Sequence, residues 1–127
     1  MASQQLELHA LRDPAELDVM AFERDVMARL GAPVEIGARH RPPHFQHIFS
    51  GGGYAAGYYA YLWASVLDAD GFAAFEEAGD PFAPGPAAGL KRILRSGDSE
   101  DPMALYVAFR GAKPGTEALM RERGLVA

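Results

Sequence analysis

The chain has 127 residues, of which 49% are apolar and 23% charged, and its formal net charge is −5. That is the size and mix of one globular domain, neither fibrous nor disordered, and the scattered, outnumbered Lys and Arg exclude an electrostatic grip on nucleic acid or an anionic membrane. It contains no cysteine, which excludes disulfides, thiolate catalysis and cysteine-ligated zinc and fits a reducing, cytoplasmic compartment.

The opening MASQQLELHALRD has no basic stretch followed by an apolar run, so it does not read as a signal peptide. It reads as an initiator Met in front of a segment that continues upstream. Asp13-Pro14 reads as a helix cap with proline in the first turn, and Gly31 as the stop. Between them Val19, Phe22, Val26 and Leu30 fall on one amphipathic face. Residues 32–53 hold Pro33, Pro42, Pro43 and the Gly51–Gly53 run, so they should be largely loop. A second helix is expected from Tyr58 to Leu67 or slightly beyond, ending near Gly71, then a short one through Phe72, Phe75 and Glu76 to Gly79.

Pro81, Pro84 and Pro86 make residues 80–89 a rigid connector. Leu90, Ile93 and Leu94 mark an amphipathic helix stopped by Gly97. Asp101-Pro102 starts the next, with Leu105, Tyr106 and Phe109 on its inner side and Gly111 at its end. Pro114 to Arg123 gives the last helix, ended by Gly124. No sustained period-two alternation occurs, so the fold class is all-α, with short amphipathic helices joined by Pro/Gly-rich loops in a single helical domain over 1–127.

From Gln46 to Leu67 there is no Asp, Glu, Lys or Arg, close to the length of a membrane span. Its glycines, tyrosines and serines are the wrong content for that role, and it reads as the wall of a site. Tyr54, Tyr58, Tyr59 and Tyr61 crowd into this stretch. Helical spacings of four and three put Tyr54, Tyr58 and Tyr61 on one side, and turn Tyr59 toward Leu62, Trp63 and Val66, the expected buried face. The plain alternative is that all four are packing aromatics. A phenol stays neutral at pH 7 and donates a hydrogen bond. Three of them, entered through a glycine run that admits a substrate backbone, would hold a peptide carbonyl or its developing oxyanion.

His40, His44 and His47, also spaced by four and three, suggest a three-His metal site. Pro42 and Pro43 stand between the first two, so they cannot share a regular helix. His47 has a second role open to it, as a donor working with the tyrosines beyond the glycine run. Glu76 and Glu77 read as a solvated face, and Asp68 and Asp70 as caps of a following turn. The zinc signature His-Glu-x-x-His and a Ser-His-Asp set are absent. The chain carries half of a site.

The run HRPPHFQHIFSGGGYAAGYYAYLWASVLDADGFAAFEEAGDPF, from His40 to Phe82, closely resembles the C-terminal region of bacterial peptidyl-dipeptidases, which belong with oligopeptidase A and thimet oligopeptidase among the His-Glu-x-x-His zinc peptidases. The likeness continues through RILRSGDSEDPMALYVAFRGAKP and RERGL. It implies a piece of a large helical enzyme that releases C-terminal dipeptides from short peptides by attack of a zinc-bound water. Zinc and the general-base Glu are implied for an upstream portion, with no metal held by this chain, which alone is expected to be inactive. On the matching positions His47 and Tyr54 would contact substrate backbone and Tyr58 would position the peptide. Tyr61 would donate to the scissile carbonyl oxygen, and Gly51, Gly52 and Gly53 would form a mobile loop closing over the peptide. Many relatives place one residue fewer between the His and the first Tyr.

Two other readings are a non-enzymatic helical module gripping a peptide or partner helix with its tyrosine face, and a small metalloprotein built on His40, His44 and His47. Helices meant to pack against the remainder of a peptidase would expose apolar faces. Self-association is therefore expected, through the first helix or the tyrosine helix.

Overall fold

A computed structural model describes residues 2–126 of the chain; Met1, read above as an initiator residue, lies outside them. Its helices are α1 (Ala2–His9), α2 (Val19–Arg29), α3 (Gly52–Ala55), α4 (Tyr59–Glu77), α5 (Pro84–Ser96), α6 (Pro102–Arg110) and α7 (Glu117–Glu122), with single 3-10 turns at Pro42–His44 and Gln46–Ile48. There is no strand among the described residues, as the missing alternation requires. The chain divides into two compact units, one through Tyr61 and one from Leu62 onward.

In the first unit the helix starts depart from the sequence reading. The Asp18 carboxylate caps α2, accepting from the N–H groups of Met20 and Ala21 at 3.0 Å each. Those bonds, led by the one from Ala21, hold its carboxyl below the usual range. Asp13 instead accepts from the Ala15 N–H at 3.2 Å, which closes only a local turn, so Asp13-Pro14 does not open the helix. Helix α1 carries none of the cap or proline punctuation that marks a helix in sequence, and was not anticipated.

Val26 on α2 is fully buried and Ile48 nearly so, beside three buried polar side chains, Gln4, Gln5 and Glu23. Glu23 is paired: the Arg41 Nε donates to both of its carboxylate oxygens, at 2.9 and 3.1 Å, tying α2 to the start of the Pro42–His44 turn. Arg29 forms an ion pair with Glu7, joining α2 to α1.

In the second unit the expected break at Gly71 does not occur, and α4 runs on to Glu77. One glycine costs a helix only about 1 kcal/mol. Here the space it leaves faces α6, where a Cβ would touch Phe109 and the Tyr106 hydroxyl at 3.7 and 3.9 Å. The helix ends where Gly79 takes a positive φ of 69°. Pro84 opens α5 at a first-turn position that tolerates proline, so the connector is shorter than the prolines suggested. Helix α6 matches its reading, capped by Asp101 on the Met103 N–H at 2.9 Å and ended by Gly111 in the left-handed region.

Val66, Ala73, Phe75, Ala83, Leu105, Tyr106 and Leu119 make the core of this unit. Helix α5 packs on α6 so closely that a Cβ at Gly89 would lie 2.6 Å from the Phe109 ring. None of the residues of α5 is buried, and Leu94 is 74% exposed.

Candidate functional site: a tyrosine and histidine face

Helix α3 is only four residues long, and α4 begins after a break at Ala56–Tyr58. Gly57 makes this break possible, because a Cβ there would stand 2.6 Å from the carbonyl oxygen of Gly53. Any side chain at 57 would push the first turn of α3 away. The break changes how the tyrosines meet: Tyr54 lies on α3 and Tyr61 on α4, not on one uninterrupted helix.

The three phenols nevertheless gather. The Tyr54 and Tyr58 rings lie 5.1 Å apart and the Tyr58 and Tyr61 rings 5.4 Å. The hydroxyls of Tyr54 and Tyr61 meet at 3.5 Å, with either able to donate. That hydrogen bond, then the unfavourable proximity of two phenolates, raises the Tyr61 hydroxyl above the ordinary tyrosine range. As for any phenol, the Tyr61 hydroxyl keeps its proton at neutral pH and can donate a hydrogen bond to an acceptor. Tyr54 and Tyr61 are exposed, and Tyr58 is half-buried between them.

His47 stands at the edge of the same face, its ring 6.3 Å from that of Tyr54. Phe45, which sequence reasoning passed over, is the hub. It stacks on His40 at 4.7 Å, meets His47 at 5.4 Å, and sets its edge against Tyr58 at 5.0 Å. Its sequence signal was an aromatic placed between imidazoles. His40 is thus engaged in a ring stack, and among the described residues no three His, Cys, Asp or Glu side chains form a group able to hold a metal ion. Gly51 has a positive φ of 110°, while Gly52 and Gly53 form the first turn of α3.

Two elements fall outside the sequence reading. The buried Gln5 amide donates from Nε2 to the Tyr54 carbonyl, and its Oε1 accepts from the Tyr58 N–H at 3.3 Å. Tyr59, Leu62 and Trp63 are all about half exposed, so of the expected buried face only Val66 is buried.

The second unit has a polar centre of its own. Asp70 accepts from the Tyr106 hydroxyl at 2.6 Å and from the Arg110 guanidinium at 3.3 Å, and Arg110 also donates to Glu77 at 2.9 Å. Asp70 therefore does not cap a turn, and Glu77 is not merely a solvated face. Burial pushes Asp70 up, but the Tyr106 and Arg110 hydrogen bonds together hold its carboxyl below the usual range. The Arg110 hydrogen bond does the same for Glu77. Burial, then the bond to Asp70, raises the Tyr106 phenol far above the ordinary range. Beside this network lies an open hollow of about 420 Å³ lined by Phe72, Phe75, Leu90, Ile93, Tyr106 and Phe109.

An all-helical segment with a fan of neutral phenols and an imidazole is suited to holding carbonyl oxygens of a peptide. Comparison with known proteins gives that class a family. The model of peptidase family M3 matches residues 1–125, and the chain belongs to that family. It is 51% identical over 90 residues to oligopeptidase A of Haemophilus influenzae, a match covering 68% of this chain and 13% of that protein. It is 50% identical over 86 residues to oligopeptidase A of Escherichia coli, covering 67% of this chain and 12% of the relative. Dipeptidyl carboxypeptidase of Escherichia coli is 38% identical over 119 residues, 94% of this chain and 17% of the relative. The chain thus spans only a small fraction of the length of the curated relatives it matches.

Proposed function

We propose that the chain is the C-terminal catalytic part of a zinc peptidyl-dipeptidase, releasing dipeptides from the C-terminus of short peptides. The observation that carries this reading is the gathering of His47, Tyr54, Tyr58 and Tyr61 on one face of a family M3 chain. Similarity to dipeptidyl carboxypeptidase supports dipeptide release, and similarity to oligopeptidase A supports short peptides as substrates.

In this reading His47 and Tyr54 hold substrate backbone and Tyr58 positions the peptide. Gly51, Gly52 and Gly53 move as the segment that closes over it. When the scissile carbonyl becomes tetrahedral, negative charge gathers on its oxygen. A neutral phenol already aimed there stabilises that charge without reorganising. A phenol suits the task, because it keeps its proton at neutral pH and can donate it to the oxyanion.

Zinc, which family membership implies, finds no ligand group among the described residues. It belongs to the remainder of the peptidase, together with the general base, and this chain by itself is inactive. Both compact units serve as parts of one catalytic segment. No helix of the described residues is long and apolar enough to cross a membrane. A cytoplasmic location fits the absence of cysteine; of two Arabidopsis thaliana relatives, each 48% identical over 87 residues, one is named cytosolic and the other organellar.

The test is a chimera in which this chain replaces the matching segment of the Escherichia coli oligopeptidase A. Tyr61→Phe should lower its kcat by roughly ten- to a thousandfold with KM changed only a few-fold, the pattern of an interaction made in the transition state. An unaltered kcat would remove Tyr61 from the reaction. Peptide binding by the isolated chain in EDTA, lost on Tyr54→Ala with Tyr58→Ala, would instead favour the binding module.

A further inference from the structure

The geometry points to Gln5 as a positioning residue for the tyrosine face: its side-chain amide splices α3 to α4 and thereby sets where the Tyr54 and Tyr61 hydroxyls meet. Four residues are too few for a helix to hold itself, since the first turn costs more than its hydrogen bonds return. The break at Ala56–Tyr58 also leaves carbonyls at the end of α3 and N–H groups at the start of α4 without regular helical partners. Within the backbone, the Tyr54 carbonyl accepts from the Ala56 N–H and, at 3.5 Å, from the Gly57 N–H, both inside the break itself, so neither bond reaches across to α4.

Gln5 bridges the two sides of the break from one planar group. Its Nε2 donates to the Tyr54 carbonyl and its Oε1 accepts from the Tyr58 N–H. The residue is only 4% exposed, so water does not compete for either bond. Tyr54 is fixed through its own backbone, and Tyr58, whose ring lies between those of Tyr54 and Tyr61, is fixed in the same way. The chemistry is specific to a primary amide. A carboxylate would face the Tyr54 carbonyl with no proton to give, and a Leu would leave the Tyr58 N–H without an acceptor. The neighbouring Gln4, 2% exposed, has no hydrogen-bond partner among the described residues and serves as a matched control.

The consequence for peptide hydrolysis rests on the function proposed above; the splice itself does not. The first experiment uses this chain alone and follows the phenol titration of Tyr61 by NMR. In the native chain Tyr61 should titrate above the ordinary value of about 10. Gln5→Leu and Gln5→Glu should both return it to that value, while Gln4→Leu leaves it unchanged. Gln5→Glu has nearly the same shape as the native side chain and keeps the acceptor for the Tyr58 N–H, so it decides the matter if Gln5→Leu does not fold. A Tyr61 that still titrates at the native chain's value in folded Gln5→Glu overturns the proposal, whatever the activity.

The second experiment places Gln5→Glu in the oligopeptidase A chimera. A loss of about tenfold or more in kcat is expected, because misplacing a reacting group by about an ångström costs up to a hundredfold, with KM raised as well, since Gln5 holds the backbone of the two tyrosines assigned to the peptide. A Tyr61 titration returned to the ordinary value with unchanged kcat would sustain the splice and overturn the peptidase role of the tyrosines.

Discussion

The two units of this chain are held together by different chemistry. Buried polar and charged groups (Gln4, Gln5 and Glu23) are found in the first, beside Val26 and Ile48. The second buries apolar side chains from Val66 to Leu119 and ties its part-buried Asp70 and Arg110 into a network with Glu77 and Tyr106. Apolar packing is non-directional and tolerates small shifts, whereas a hydrogen bond specifies a distance and an angle. The first unit carries the face whose phenols we propose to meet a substrate oxygen, and in it that face is positioned by directional bonds. The contrast teaches that the candidate site is placed by backbone splices and ring contacts, with the larger apolar core lying elsewhere in the chain.

The sharpest way to break this comparison is to attack the network of the second unit. Arg110→Met should destabilise that unit by about 2–4 kcal/mol, because Asp70 would be left part-buried without its cation. Thermal unfolding would show it, and the NMR signals of Tyr54 and Tyr61 should not move in the folded variant. Asp70 and Glu77 have folded-state values below their unfolded ones. The stability they contribute is therefore present above about pH 4 and is lost as pH falls through the folded values. Asp70→Asn should flatten that acid limb.

A smaller effect is expected at the surface. Leu62 and Trp63 are exposed on α4, and Leu94 on α5. Sedimentation should show concentration-dependent self-association at micromolar levels, weakened severalfold by Trp63→Lys. A strictly monomeric chain would mean that these faces need no cover. Smallest of all, Gln4→Leu should stabilise the first unit by about 1 kcal/mol, since it removes a buried amide that has no partner among the described residues. A loss of stability of that size would mean the Gln4 amide is satisfied in solution, and would sharpen the contrast with Gln5.

Much of the fold was legible in the chain order of its residues. The absence of alternation meant helices, Asp101-Pro102 and Gly111 bounded α6, and Gly97 ended α5, because caps, prolines and left-handed glycines act within a few residues of themselves. The crowding of His47, Tyr54, Tyr58 and Tyr61 beside a glycine run was visible for the same reason, and family membership bears out the peptidase resemblance. What escaped was settled at a distance. Gly71 stays helical because α6 packs across it, and Asp70 becomes the partner of a residue forty positions away instead of a cap.

The start of α2 passed from Asp13 to Asp18 because two backbone donors, not one, converge on the second carboxylate. The sequence by itself determined the helical class, the neutral phenols and their approximate phase. Only the tertiary structure decided that α3 and α4 are separate helices bridged by Gln5, 49 residues before Tyr54 and 53 before Tyr58. A local pattern records what neighbours along the chain prefer, and it holds no record of which distant amide will complete their hydrogen bonds.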